Sequence, residues 1–177
     1  GETVLRSMPE ELSKQALQAL QKAGVEFLQQ SRVQSMRPGE VVVNTPDGEQ
    51  CIRAATVIWT AGVCASHLGH ALEAATGCSV DRGGRVVVES DFSIASHPEI
   101  RIAGDLCSYS HTKDGQPLPG MAAPAKQAGS FIGKDIAAVV AGHPRPKFQY
   151  LDLGSMAIVD GSSAVADLRG LKFSGLI

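Results

Sequence analysis

The sequence predicts an α/β fold that ends in a mostly β segment. Three observations lead there. Residues 7–24 carry helix punctuation around an apolar face. Residues 55–62, "ATVIWTAG", are a continuous apolar run closed by Gly, the pattern of a strand buried on both faces of a parallel sheet. Residues 117–142 read as a loop and a long helix, after which Gly-punctuated strands run to residue 177.

The elements follow in order. Ser7 and Glu10 have capping-box spacing, Pro9 suits a first turn, and Gly24 suits the position after a helix. Leu12, Ala16, Ala19, Leu20 and Ala23 share one face of that helix. "VEFLQQSRVQSM" (25–36) is strand material, and "GEVVVNTPDGEQCIRAA" (39–55) is a hairpin around a Pro-Asp-Gly turn. Trp59, inside the third apolar run, is assigned to the core. "GGRVVVESDFSI" (83–94) reads as one strand and "EIRIAGD" (99–105) as a short one. In the long helix, Ala125, Gly129, Ile132, Ile136 and Val140 form the expected buried stripe.

Composition narrows the function. The 177 residues carry a net charge of −2, with 44% hydrophobic and 19% charged residues. That composition supports a packed core and offers no basic field for nucleic acid. Cys51, Cys64, Cys78 and Cys107 form no C-x-x-C pair, and free thiols suit a cytoplasmic chain. Cys64 reads as an inert small residue, because no activating neighbour stands near it in sequence. The five histidines show no metal-ligand spacing and read as surface or loop residues, so no metal is expected.

Three short stretches carry candidate chemistry. Gly104-Asp105 ends a strand, where ligands of open α/β sheets sit. A carboxylate there accepts hydrogen bonds from sugar-like hydroxyls, and a glycine admits close approach. The alternative is an Asp that closes a turn. "LPGMAAPAKQAG" opens a helix whose N-terminal N–H groups favour an anionic ring edge, and Gln127 adds a neutral amide. The alternative is a plain packed helix with Gln127 in solvent. "WTAGV" (59–63) is a Gly turn whose backbone either touches a nucleotide or merely turns.

"VIWTAGV", "GGRVVVESDFSIASHPEIRIAGD", "PLPGMAAPAKQAGSFIGKDI" and "FQYLDLGSMAIVDGSSAVADL", in this order, resemble the type II NADH dehydrogenases. These are flavoproteins with two dinucleotide-binding domains that pass electrons from NADH to quinone at a membrane surface. The resemblance covers nearly the whole chain. It implies incomplete Rossmann-like domains: 1–62 as the latter half of the NAD domain, 63–145 as the returning part of the FAD domain, and 146–177 as the start of a C-terminal domain. Neither G-x-G-x-x-G loop of the family is present, so the chain is expected to be a C-terminal fragment of a longer enzyme.

The resemblance also implies site residues. FAD is held at Gly104 and Asp105 and along the backbone of Met121, Ala122, Ala123 and Ala125. Ala61 and Gly62 approach the nicotinamide of NADH, and Gln127 lies on the quinone side. Position 123 carries Ala where the family has the first glutamine of its quinone-side motif. No side chain need be a catalytic acid or base, because the cofactor carries the redox step. The implied location is peripheral to the inner face of the cell membrane, in a respiratory chain, with membrane contact through a segment after residue 177. Exposed sheet edges predict a homodimer. Alternatives remain. A sulfide:quinone reductase-like flavoprotein would need a late cysteine, and none follows Cys107. A relative with another acceptor, or an isolated fragment without activity, completes the set.

Overall fold

The computed structural model describes residues 3–161 and 163–176. The chain divides into two compact units. One is assembled from the two ends of the chain, residues 1–59 and 153–177; the other is the continuous stretch 60–152.

In the first unit, helix α1 spans Glu10–Lys22. It starts three residues later than the capping-box reading. A residue preceding proline is disfavoured in the helical region, so Met8 stays out and Pro9 is the extended N-cap. The Pro9 carbonyl accepts the first helical bond, from Ser13 N–H at 3.0 Å. Glu10 is instead 2.7 Å from Lys14, one turn on. Gly24, at φ +85°, ends the helix, with Gly24 N–H bonded to Gln21 and Val25 N–H to Leu20.

Three antiparallel strands follow: β1 (Arg32–Arg37), β2 (Glu40–Thr45) and β3 (Gly48–Arg53). Pro38-Gly39 and Pro46-Asp47 make their two-residue turns. The hairpin expected over 39–55 is present, whereas the strand expected over 25–36 begins only at Arg32.

Strands β8 (Ser155–Ile158), β9 (Ser163–Leu168) and β10 (Leu171–Leu176) form a second antiparallel sheet with β9 in the middle. Val165 on β9 is buried with Leu12 and Ala16 of α1. Lys172 reaches Glu11 at 3.0 Å. Met156, Ile158 and Phe173 are exposed on this sheet.

In the second unit, α2 (Leu68–Thr76) leads through Gly77, at φ +69°, to β4 (Val86–Val87). Strand β4 pairs in parallel with β7 (Cys107–Ser108). Strand β5 (Ser93–Ile94) pairs antiparallel with β6 (His97–Arg101). Helix α3 covers Ala122–Val140. The core gathers Val86, Ile94, Ile102, Ala128 and Phe131 around Phe92, which stacks on Tyr109 with centroids 4.4 Å apart.

Four expectations are corrected here. Residues 55–62 are not a strand: Ile58 is 81% and Trp59 57% exposed. A strand buried on both faces needs partners on both edges, and no described strand pairs with this run; Trp59 is therefore not in the core. "GGRVVVESDFSI" is two strands in two sheets, because Phe92 at φ +66° turns the chain, with Phe92 N–H on the Glu89 carbonyl. The buried stripe of α3 is Pro124, Ala128, Phe131 and Asp135, one position off the expected set. Gly129, Ile136 and Val140 are exposed.

Asp135 sits on that stripe because two guanidinium groups meet it. Arg145 Nε lies 2.8 Å from Asp135, and Arg101 Nη2 lies 3.4 Å away. Both arginines also bind Asp91 at 2.6 Å. The Arg145 hydrogen bond leads the effects that lower the Asp135 pKa, outweighing burial. At Asp91, burial opposes ionisation, but hydrogen bonds from Ser93, Arg145 and Arg101 outweigh it and hold the pKa well below the usual carboxylate range.

Candidate functional site

The chain leaves buried Ile102 through extended Ala103 into a short 3-10 turn, Gly104–Leu106. Gly104 has φ +72°, a conformation costly for any side chain-bearing residue. A Cβ there would lie 3.8 Å from Ala125 Cβ, so the turn lies against the start of α3. Asp105 is exposed beside Gly120, where an added Cβ would stand 3.7 Å from Asp105 Oδ1.

A pocket forms between these parts, lined by Gly104, Asp105, Gly120, Met121, Ala125 and Arg85 among others. Met121 is the extended N-cap of α3, and no side chain caps this helix end. Met121, Pro124 and Ala125 of this helix start line the same small space as Asp105, so the positive end of the helix dipole lies beside the carboxylate. Leu118 N–H bonded to the Tyr109 carbonyl holds the entering loop. The combination offers an acceptor for hydroxyl groups next to a helix end that favours negative charge.

Arg85 and Cys107 are pocket residues that the sequence reading passed over. Arg85 Nε lies 2.7 Å from Asp81 Oδ2, while Asp81 Oδ1 accepts the Gly83 and Arg85 N–H groups. The Asp-x-Gly-Gly-Arg spacing was the available signal for this knot. Cys107 is buried, and burial pushes its thiol up to about 12, with the Arg85 charge opposing. It is a packing group and not a nucleophile.

The sequence-derived residues divide into three places. Gly104, Asp105, Met121 and Ala125 line one pocket. Ala122 and Ala123 stand on the first turn of α3 outside its lining, and Ala61 and Gly62 lie in an exposed irregular segment, also outside it. Gln127 follows Ala125 by two residues, about 200° around the helix, and so serves the opposite flank. There its Nε2 donates to the Leu151 carbonyl at 2.9 Å, and its Oε1 accepts Leu151 N–H at 3.0 Å.

A wide groove runs between residues 109–121 and 147–152, walled by Tyr109, Lys113, Phe148 and Tyr150, and it shares Tyr109, Leu118 and Met121 with the Asp105 pocket. His111, also on it, donates Nε2–H to the Val88 carbonyl at 2.9 Å. No helix among the described residues is long and apolar enough to cross a membrane.

The model of the pyridine nucleotide-disulphide oxidoreductase family matches residues 1–129. The type II NADH:quinone oxidoreductase Ndh of Mycobacterium tuberculosis is 37% identical over 98% of this chain and 37% of its own length. The type II NADH:quinone oxidoreductase of Staphylococcus haemolyticus is 30% identical over 97% of this chain and 42% of its own. The chain thus spans about two fifths of these curated relatives.

Among solved structures, NDH2 from Plasmodium falciparum in complex with NADH superposes with a TM-score of 0.84 at 13% identity, over 99% of this chain and 50% of that one. The sulfide:quinone oxidoreductase of Aquifex aeolicus gives 0.67 at 12% identity, over 92% of this chain and 40% of that one. At these identities the two structures share the fold.

Proposed function

The chain belongs to the pyridine nucleotide-disulphide oxidoreductase family, and from that premise we propose that it is part of an FAD-dependent type II NADH:quinone oxidoreductase. The observation that carries this reading is the Asp105 carboxylate set beside the uncapped N-terminus of α3. Identity of 37% to a type II NADH:quinone oxidoreductase along nearly the whole chain favours it over the sulfide-oxidising reading.

The pocket fits a flavin's polyol and electron-poor ring edge. Gly104 and Gly120 leave open the volume that side chains would fill. Asp105 accepts hydrogen bonds from hydroxyl groups. The backbone of Met121, Ala122, Ala123 and Ala125 is assigned to the ring edge, with Met121 and Ala125 on the pocket wall and the positive end of the helix favouring negative charge there. Bound there, FAD supplies the two-electron carrier between NADH and a quinone. The backbone of Ala61 and Gly62 is assigned to the nicotinamide side and Gln127 to the quinone side.

Residues 1–62, 63–145 and 146–177 are assigned to the NAD domain, the FAD domain and the start of a C-terminal domain. The respiratory role at the inner face of the cell membrane is carried over from the family resemblance, and a lipid-dissolved quinone as acceptor supports contact with a membrane surface. Strands β8 and β10 each pair only with β9 among the described residues, and such edges support a homodimer. Sedimentation of the full-length protein as a monomer alone would refute the dimer.

The test of the main reading uses the full-length protein and the variant Asp105→Ala. The wild type is expected to keep a flavin absorbance band through desalting and to oxidise NADH with a soluble quinone. The variant is expected to lose most of that band. Equal retention by both would overturn the assignment of Asp105.

A further inference from the structure

Residues 143–152 form neither helix nor strand, yet they are tied to α3 along their length. Arg145 binds Asp135, Phe148 packs on Phe131 with centroids 5.3 Å apart, and the Leu151 main chain binds Gln127. The helix positions 135, 131 and 127 recur every four residues and so share one face. The segment meets them at 145, 148 and 151, running antiparallel to the helix. The same segment supplies Phe148 and Tyr150 to the wall of the wide groove, opposite His111 and Lys113.

The three ties differ in kind. The Arg145 end is anchored by two carboxylates, one of them on Asp135, which is 1% exposed. Phe148 is half-buried over Phe92, Tyr109 and Phe131. At the exposed Leu151 end, both polar atoms of one side-chain amide hold the main chain.

We propose that Gln127 is a positioning residue that latches segment 147–152 against α3, so that this wall of the groove opens from the Leu151 end and pivots at Arg145. Both polar atoms of the amide pair with one residue's main chain, as a neighbouring strand would. Release of the amide frees Leu151 and Tyr150 first. Phe148 follows, uncovering the rings beneath it. The latch stands whether or not Gln127 faces an electron acceptor.

The test is hydrogen exchange and tryptic cleavage of the full-length protein. Trypsin reads this segment at Lys147, because Arg145 precedes a proline. In Gln127→Leu, exchange at the Leu151 amide and cleavage after Lys147 are expected to rise about ten-fold, while amides inside α3 keep their protection. Gln127→Glu retains the acceptor for Leu151 N–H and loses the donor to its carbonyl, so it is expected to restore part of the protection at Leu151. Unchanged Leu151 exchange in both variants would overturn the latch. So would an equal loss of protection throughout α3, which would mark a general packing role.

Discussion

Replacing Arg145 by Leu tests how the second unit is held together. Arg145 binds Asp135 through Nε at 2.8 Å and Nη2 at 2.5 Å, and Asp91 at 2.6 Å. Asp135 is essentially buried, but Arg145 keeps 45% of its side chain exposed, and Arg101 stays 3.4 Å from Asp135. Breaking a fully buried pair costs about 3–5 kcal/mol, and an exposed pair contributes about 0–1 kcal/mol. Partial exposure and the remaining arginine place this variant between them, at about 2 kcal/mol. For a chain of this size that lowers Tm by about 4–8 °C.

The pH dependence has a definite sign. Asp135 and Asp91 have depressed pKa values in the folded protein. Their stabilisation is therefore complete above the ordinary carboxylate range, about pH 4, and is lost as pH falls through the folded values. Removing Arg145 lets burial push the Asp135 pKa back up. The gap between wild type and variant should be widest near neutral pH and narrow below about pH 4. Urea unfolding across that range measures it, with Asp135→Asn completing a double-mutant cycle. A neutral-pH cost under about 0.5 kcal/mol, or a gap that does not change with pH, would refute the reasoning.

Two further outcomes follow from packing. Gly69→Ala places a Cβ 2.0 Å from the Gly84 carbonyl oxygen, so α2 must shift from the loop before β4; a loss of about 1–3 kcal/mol in thermal unfolding is expected. A thiol reagent at pH 8 should label exposed Cys51 and Cys64 quickly, and buried Cys78 and Cys107 only on unfolding, as counted by mass spectrometry.

The sequence made some of this legible through local chemistry. The Pro-Asp-Gly hairpin and the Gly24 helix end depend on one or two residues whose backbone preferences dominate, and both occur. The start of α3 is legible because a helix start leaves compositional marks, whereas the strand expected over 99–105 ends at Arg101 and Gly104-Asp105 lies beyond it in a 3-10 turn. The stripe of α3 was misread because Asp135 is polar: its place in the core depends on Arg101 and Arg145, which are distant in sequence. The turn at Phe92 was hidden because a left-handed aromatic residue is set by the packing of its ring on Tyr109. The run 55–62 has the composition of a buried strand, but pairing is decided by neighbours that no local pattern encodes. Helix α2 went unread, although Gly77 marks its end. The clamp of Gln127 on Leu151 involves a backbone, so no residue type at position 151 could announce it.

The assembly of the first unit from both ends of the chain sets an order of events during synthesis. Residues 60–152 are continuous and emerge together, so their core can close while the ribosome is still at work. Helix α1 leaves the exit tunnel before that unit, but Leu12 and Ala16 must wait for Val165 to arrive. Folding of the intervening unit shortens the flexible span between them, which lowers the entropy lost when the ends meet. Until then the apolar face of α1 is open, and nascent-chain chaperones have a defined stretch to shield, from Leu12 to Ala16.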